Sequence, residues 1–94
     1  MADMSGGDRT GETVTVRYWA GARAAAGTAE DTFAVEGDLT LADVVALVLE
    51  RHPDDRMVRT VAVCSVLVDG RAVGRDAEVG PDTVIEVLPP FAGG

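Results

Sequence analysis

The clearest strand signal in the chain is the stretch Val14-Thr15-Val16-Arg17-Tyr18-Trp19. Its side chains alternate with the period of two that is typical of a strand with one buried face. Val14, Val16 and Tyr18 share one face, which we expect to point into the core. Order is therefore predicted to begin near Thr13 with a β-strand.

A second alternating run follows at Thr32-Phe33-Ala34-Val35-Glu36. The two glycines of the segment 21–27 predict a short loop or helical turn between the runs. Gly37-Asp38 closes the second run. Two neighbouring strands with a modest connection predict an antiparallel hairpin.

The next segment has the signals of the main helix. Thr40 is a good N-cap, with Asp43 three residues later. His52-Pro53 ends the helix, because a residue before proline avoids the helical region. The apolar stripe predicted to face the core is Leu41, Val45, Val48 and Leu49.

After the helix, the segment 53–61 is predicted to be a charged surface connection. The β-branched run 61–68 then predicts a strand, and Asp69-Gly70 predicts a turn into a short strand at 71–73. A turn at 80–82 leads to the last strand at 83–88.

This order of elements predicts an α+β domain of the β-grasp type, with a mixed sheet and one main helix packed on one face. The first and last strands would be neighbours in the centre of the sheet. We predict a disordered leader at residues 1–12, the β-grasp domain at 13–88 and a flexible tail at 89–94.

The composition fits one small domain and offers little for catalysis. The 94 residues are 47% hydrophobic but only 4% aromatic, so Val, Leu, Ala and Ile must build the core. A single cysteine excludes an internal disulfide and a cysteine-rich metal site, and no metal site is predicted. Cys64 is predicted to be a buried residue of a strand, and His52 to cap helix carbonyls or face water. Neither is expected to carry function.

The charge argues against nucleic acid and membrane as partners. Sixteen acidic and eight basic residues give a net charge of −8, which repels phosphate and favours a partner with a basic groove. The chain has no run of ~18 apolar residues, and its start lacks the apolar region of a signal peptide. A cytoplasmic location is therefore expected. All eight basic residues are arginine.

The C-terminal end is the candidate site. It reads Pro89-Pro90-Phe91-Ala92-Gly93-Gly94 and follows the last charge, Glu86. The prolines stop the strand and stiffen an extended exit, and six extended residues reach roughly 20 Å. Two glycines let the backbone thread a narrow channel and present the carboxylate of Gly94. We predict that this tail is mobile in the free protein and ordered when bound.

From about Val14 to Gly94, the chain resembles the MoaD/ThiS family of ubiquitin-like sulfur carriers, and most closely the MoaD-type small subunit of molybdopterin synthase. The segment 16–23 resembles the family's aromatic-rich first strand and the arginine after it, here Arg23. Asp69-Gly70 resembles its late turn, and residues 89–94 its tail. The lead into the last strand at 80–84 and the bulky Phe91 depart from the family pattern.

The resemblance implies a carrier that is not itself an enzyme. In the family, an E1-like activating enzyme uses ATP to adenylate the terminal glycine carboxylate and converts it to a thiocarboxylate. The sulfur then passes to a pterin held by the large synthase subunit. Gly94 would be the reactive residue, the rest of the tail would thread the partner, and no cofactor would be bound by this chain.

Strand parity predicts where the partner docks. Glu86 and Arg17 mark the outward face of the last and first strands, and Leu88 and Trp19 share that face with them. Both are predicted to be exposed beside the root of the tail, as anchors for a partner. Arg23 and Ala72 complete the predicted partner-binding set.

Two other functions remain open at this stage. The same thiocarboxylate chemistry could serve another acceptor, such as cysteine, thiamin or a sulfur-containing natural product. The chain could also be a ubiquitin-like modifier attached to proteins through Gly94. Since it contains no lysine, it could not build lysine-linked chains on itself.

Overall fold

The computed structural model describes residues 12–90. The predicted leader, apart from Glu12, and the last four residues of the predicted tail lie outside this range. The described elements are, in order, β1 (Thr13–Tyr18), α1 (Ala20–Ala26), β2 (Glu30–Ala34), β3 (Leu39–Thr40), α2 (Leu41–Arg51), α3 (Asp55–Val63), β4 (Ser65–Val68), β5 (Arg71–Ala72), β6 (Glu78–Val79) and β7 (Val84–Leu88).

Five of the strands form one mixed sheet in the order β2-β1-β7-β4-β5. β1 and β7 run parallel in its centre, where Val16 lies opposite Ile85 and Tyr18 opposite Val87. The other neighbouring strands are antiparallel, and β3 pairs with β6 in a separate two-stranded ladder. The predicted α+β class and the central position of the first and last strands are confirmed. The chain therefore leaves the sheet from its middle.

The alternation in β1 sorts its side chains as predicted. Val14 and Val16 are fully buried and Tyr18 almost so, whereas Arg17 is exposed. β1 pairs with β2 in the predicted antiparallel hairpin, and Phe33 of β2 joins the core. The hairpin thus turns one apolar face toward the helices and leaves the other face of the sheet open.

The connection after β1, predicted as a short loop or helical turn, is a short helix. α1 has seven residues and follows directly on β1. Gly27 ends it with a φ of 76°, a left-handed conformation that suits glycine, and its N–H donates to the carbonyl of Arg23 at 2.9 Å. Ala22 is fully buried, so this short helix belongs to the packed domain.

The main helix, α2, begins with the predicted cap. The Thr40 hydroxyl accepts the N–H of Asp43 at 3.2 Å, and the Asp43 carboxylate accepts the N–H of Thr40 at 2.9 Å. The buried stripe differs from the prediction, because it consists of Leu41, Val44 and Val48. Val45 and Leu49 flank that stripe and are only partly buried.

The prediction of a charged connection at 53–61 is wrong, because this segment forms α3. The Asp54 carboxylate accepts the N–H of Met57 at 2.9 Å and caps the helix. Met57 and Val61 lie one turn apart and are buried, while Val58 and Arg59 between them are exposed. The following strand therefore starts at Ser65 rather than at Val61.

Cys64 lies between α3 and β4 rather than inside a strand. It is half-buried, and its thiol donates to the carbonyl of Thr60 at 3.0 Å. Burial raises the pKa of the thiol. A thiol that keeps its proton is a poor nucleophile, which agrees with a packing role.

The two later turns lie where the sequence predicted them. Asp69 and Gly70 have positive φ values of 49° and 83° and join β4 to β5, which is one residue shorter than predicted. Thr83 is buried just before β7, where its hydroxyl donates to the carbonyl of Gly80 at 2.6 Å. Within residues 12–90, every helix is too short or too polar to cross a bilayer.

Candidate functional site

The site begins where β7 ends. β7 lies between β1 and β4, and its last residue, Leu88, is followed by Pro89 and Pro90. Neither proline has an N–H to continue a ladder, so the strand stops here. Pro89 lies close to the start of α1. A Cβ atom placed on Gly21 would be in van der Waals contact with the Pro89 Cγ, at 3.9 Å. The chain therefore leaves the sheet against α1.

A groove of about 560 Å³ opens at this point, and we call it the exit groove. Its walls come from the end of β1, the start of α1, the start of β4 and the first residues of the tail. The lining is mainly apolar and consists of Trp19, Ala20, Gly21, Ser65, Leu88, Pro89 and Pro90. The exit groove contains no ionisable side chain, so it suits an apolar occupant.

The backbone of Trp19 is fixed by hydrogen bonds at both its N–H and its carbonyl. Its N–H donates to the carbonyl of Val87 at 3.2 Å, and its carbonyl accepts the N–H of Ala22 at 2.9 Å. Its side chain is 44% exposed, the largest aromatic surface among the described residues. Strand parity predicted this outward position. The next residue, Ala20, has a φ of 49°, which is unusual for a residue with a Cβ.

Leu88 shares the groove with Trp19, as parity predicted, but it is half-buried rather than exposed. It lies opposite Ser65 in the antiparallel pair of β7 and β4. Pro89, the next residue, lines the same groove. Leu88 therefore forms the floor of the exit groove, while Trp19 forms its wall.

The open face of the sheet continues from the groove. One row across it consists of Glu30, Arg17, Glu86, Leu67 and Ala72, placed side by side by the strand register. The Arg17 Nε lies 3.5 Å from the Glu30 Oε1, and both side chains are about half exposed. Such an exposed ion pair contributes little to stability. Of this row, Arg17, Glu30 and Ala72 are exposed, while Glu86 and Leu67 are partly buried.

The two remaining predicted partner residues lie outside the exit groove. Arg23 is exposed on α1 and lines a neighbouring depression of about 380 Å³ together with Ala20. Ala72 is exposed on the edge strand β5 and lines a third depression, with Ser65 and Arg75. The structure therefore brings together Trp19, Leu88, Pro89 and Pro90, with Arg23 and Ala72 on either side. Their contact with a partner stays a prediction.

The sequence reasoning missed Ala20, Gly21 and Ser65 as groove residues. Ala20 and Gly21 begin a helix, whereas the sequence predicted a short loop or helical turn that starts only at Gly21. Ser65 was placed inside a longer strand, whereas it begins β4 opposite Leu88. The serine within the run 61–68 was the one signal in the sequence that this run is divided between a helix and a strand.

A second polar cluster, which we call the Asp31 cluster, lies at the far edge of the sheet. The Tyr18 hydroxyl donates to the Asp31 Oδ2 at 2.8 Å, and the His52 Nε2 lies 2.6 Å from the same oxygen. Because an ionised carboxylate only accepts hydrogen bonds, the His52 Nε2 is the donor. Arg51 donates to the Asp31 Oδ1 at 3.4 Å and to the Thr32 carbonyl at 3.2 Å.

The prediction for His52 is thus wrong, because its side chain turns inward. It is only 15% exposed and its ring meets the Tyr18 ring edge-on, with centroids 5.8 Å apart. Burial by itself would raise the pKa of Asp31, but the hydrogen bonds from His52, Tyr18 and Arg51 outweigh it and lower that pKa. Burial, then the hydrogen bond to Asp31, raises the pKa of Tyr18.

The Asp31 cluster joins β1, β2 and the end of α2, and its charges are paired. In the described part of the chain, no three His, Cys, Asp or Glu side chains converge as a metal site would require. The groove and the cluster therefore have different chemistry. The first is an apolar surface at the root of the tail, and the second is a closed set of hydrogen bonds.

Structural comparison places the fold among small carrier and modifier proteins. A putative molybdopterin converting factor subunit 1 from Pyrococcus furiosus has a TM-score of 0.75 at 26% identity, over 85% of this chain and 99% of that chain. Small archaeal modifier protein 1 of Haloferax volcanii has a TM-score of 0.75 at 20% identity, over 86% and 100%. In both comparisons, the match extends over essentially the whole length of the other protein.

A third similar structure is a protein–protein complex. It contains subunits 1 and 2 of the molybdopterin-converting factor from Helicobacter pylori, and the match has a TM-score of 0.64 at 18% identity, over 87% of this chain and 99% of that chain. Comparison with curated protein sequences gives no significant match. The model of the ThiS family matches residues 16–94, which include the second half of β1, the exit groove and the Gly-Gly end. The chain belongs to the ThiS family.

Proposed function

We propose that this protein carries sulfur as a thiocarboxylate on Gly94 and delivers it in molybdopterin synthesis. The observation that carries the proposal is the position of the tail. The family match runs through Gly94, and the central strand β7 leads directly into the two prolines and the uncharged end. The Gly94 carboxylate thus lies four residues along the chain from the second of the two prolines that follow β7.

The chemistry follows from the weakness of a carboxylate as an electrophile. The Gly94 carboxylate oxygen attacks the α-phosphate of ATP on an activating enzyme, and pyrophosphate leaves. A sulfur nucleophile then displaces AMP from the acyl adenylate and forms the thiocarboxylate. Its sulfur is a good nucleophile toward the next substrate. ATP and the catalytic groups belong to the partner, because this chain supplies only the carrier.

Molybdopterin synthesis is the acceptor pathway that the relatives favour. Two of the similar structures are molybdopterin converting factor subunits, and one of these is in a complex with subunit 2. We therefore infer two partners, an E1-like activating enzyme and the large subunit of a molybdopterin synthase. Both would hold the tail and dock on the open sheet face beside it.

Trp19 and Leu88 are the proposed anchors of that docking. A half-exposed tryptophan beside an apolar groove is the type of residue that dominates the binding energy of protein interfaces. Arg23 and Ala72 lie at the margins of the same surface. The acidic balance of the chain favours a basic surface on the partner.

Intact-mass spectrometry tests the chemistry directly. The full chain, incubated with the activating enzyme, ATP and sulfide, is expected to gain the mass that replaces one oxygen by sulfur. A chain lacking Gly94 is the matched control, since its core is untouched. It should remain folded by circular dichroism and gain no sulfur. A thiocarboxylate on the shortened chain would refute the assignment of Gly94.

The same sample separates the alternatives. Transfer of the sulfur to a pterin by the large subunit supports molybdopterin synthesis, whereas transfer only to cysteine, thiamin or another acceptor identifies a carrier for that pathway. An amide bond between Gly94 and an amine of another protein would identify a modifier, as in the archaeal relative's name.

A further inference from the structure

The strand β2 is the longer of the two edge strands of the five-stranded sheet. It has five residues and lies at the end of the strand order, next to β1. The other edge strand, β5, has only two residues. An unpaired edge presents backbone N–H and C=O groups to which another strand can bind, and a very short edge offers few of them. The edge that most needs protection is therefore that of β2.

The hydrogen bonds around β1 show which backbone groups of β2 point outward. The Val35 N–H donates to the Glu12 carbonyl at 3.0 Å, so this pair is bonded across the hairpin. Thr15, the register partner of Thr32, instead donates its N–H to Thr83 on the other side of β1, at 3.0 Å. Bonded and non-bonded pairs alternate along an antiparallel ladder. The residues of β2 whose N–H and C=O point away from β1 are therefore Glu30, Thr32 and Ala34.

Arg51, the last residue of α2, reaches this edge. Its Nη1 donates to the Thr32 carbonyl at 3.2 Å and to the Asp31 Oδ1 at 3.4 Å. Its guanidinium carbon lies 4.1 Å from the centre of the Phe33 ring, which is within the range of a cation–π contact. These three contacts hold a side chain that is 46% exposed. The central outward carbonyl of β2 is thus bound by a side chain.

The guanidinium also occupies the space that a further strand would need. Paired strands lie ~4.8 Å apart, and the nitrogen of an incoming N–H must come within ~3 Å of the carbonyl oxygen that it binds. The Arg51 Nη1 already lies at about that distance from the Thr32 oxygen. A strand could therefore pair with Thr32 only after it had displaced Arg51 from Asp31 and Phe33.

The edge of β2 is complementary to itself. Two antiparallel copies centred on Thr32 would place Thr32 opposite Thr32 and Glu30 opposite Ala34, so no like charges would face each other. Because these are the residues with outward-pointing groups, each opposite pair could exchange both of its backbone hydrogen bonds. Their side chains are exposed. A second copy of this chain is therefore the occupant that fits the edge.

We propose that Arg51 guards the edge of β2 and keeps the protein monomeric by blocking antiparallel pairing with β2 of a second copy. The contacts with Asp31 and Phe33 position the guanidinium, and the hydrogen bond to Thr32 closes the edge. Charged side chains protect edge strands in other proteins for the same reason. Arg51 does not line the exit groove, so the guard leaves the groove free for a partner.

Sedimentation velocity of the full chain over a concentration series tests the guard. Wild type is expected to stay monomeric, whereas Arg51→Ala should dimerise with a dissociation constant lower by about tenfold or more, because one cover is lost from each copy. Arg51→Met keeps an apolar stem over Phe33 and should behave alike, so the test does not depend on the alanine variant being folded. Arg59→Ala removes the same charge from an exposed position on α3 and is the matched control. It should remain monomeric.

A second substitution locates the contact. Proline at position 32 removes only an outward-pointing N–H, and proline is tolerated on an edge strand. Arg51→Ala combined with Thr32→Pro should therefore be folded and monomeric. In Arg51→Ala alone, hydrogen exchange at the Thr32 amide should slow as protein concentration rises.

Folded Arg51→Ala and Arg51→Met that stay as monomeric as wild type would overturn the proposal. A dimer that persists with Thr32→Pro, or that leaves the Thr32 amide unprotected, would also overturn it, since the copies would then associate through another surface. Association cannot come from the change in charge, because loss of Arg51 increases the repulsion between two acidic chains. These measurements use no ATP or activating enzyme, so their outcome does not depend on whether Gly94 carries sulfur.

Discussion

Replacing Asp31 by asparagine should destabilise the domain strongly at neutral pH. The carboxylate accepts hydrogen bonds from Tyr18, His52 and Arg51 and is only 14% exposed. Asparagine would turn an NH₂ group toward at least one of these donors. A hydrogen bond to a charged group contributes up to about 1.5–3 kcal/mol to stability. The long contact from Arg51 contributes less. We therefore expect a loss of about 2 kcal/mol of unfolding free energy.

The size of this loss should depend on pH in a defined direction. The folded-state pKa of Asp31 lies below its ordinary value of 3.8. Its contribution to stability is therefore complete above the unfolded-state pKa and is lost as pH falls through the folded-state pKa. Wild type and Asp31→Asn should differ most near pH 7 and converge once the pH has fallen below the folded-state pKa of Asp31.

Thermal unfolding followed by circular dichroism measures both effects. A loss of 2 kcal/mol corresponds to a fall in Tm of roughly 8–16 °C for a domain of this size. Tyr18→Phe is the matched control, because it removes one donor and keeps the carboxylate. It should cost about 1 kcal/mol. If Asp31→Asn melts within a degree or two of wild type at pH 7, or if the difference does not shrink in acid, the Asp31 cluster does not stabilise the fold as argued.

Three further predictions concern the groove and the helices. Trp19→Ala or Leu88→Glu should weaken binding to the activating enzyme or the large subunit by about 2 kcal/mol in calorimetry, with little change in Tm. A large fall in Tm with unchanged affinity would assign them to the core. Met57→Ala should cost about 2–5 kcal/mol in denaturant unfolding, because Met57 is fully buried, whereas the exposed Arg59→Ala should stay within about 0.5. Ala20→Gly should raise stability by about 0.5–1 kcal/mol, since it relieves a φ of 49°; a destabilised variant would show that this φ carries no strain.

The two central strands, β1 and β7, could be predicted from the sequence because their buried residues alternate with outward-facing ones. In β1 and β7 every second residue is apolar, and a single charge, Arg17 or Glu86, marks the outward face. Parity then placed Trp19 and Leu88 on one face without any knowledge of the fold. This local pattern, with the position of the Gly-Gly end, was sufficient to identify the candidate site.

α3 could not be predicted, because its apolar signal is only two residues wide. Met57 and Val61 are one turn apart, and the exposed Val58 between them blurs the helical period. Val61 also begins a β-branched run, and this run made the end of the helix resemble the start of a strand. The capping side chain of Asp54 was the available signal. An aspartate before a charged segment is too common to decide alone.

The Asp31 cluster was invisible for a different reason. Tyr18, Asp31 and His52 come from β1, β2 and the end of α2, and no local pattern connects them. Their contact exists only because the hairpin and α2 pack together. The exit groove has the same origin, since Gly21 and Ser65 reach it from two other elements.

The Asp31 cluster and the exit groove meet at two adjacent residues, Tyr18 at the end of β1 and Trp19 directly after it. Tyr18 turns inward, where its hydroxyl is held by Asp31, and Trp19 turns outward, where its indole lines the exit groove. Because successive side chains of a strand point to opposite faces, fixing Tyr18 also fixes the backbone from which Trp19 projects. The hydrogen bond from the Trp19 N–H to Val87 ties that backbone to β7, two residues before the tail begins. Weakening the Asp31 cluster should therefore loosen Trp19 as well. Asp31→Asn at pH 7 is expected to broaden the emission of Trp19 below its melting temperature, and this difference from wild type should shrink as the pH falls through the lowered folded-state pKa of Asp31.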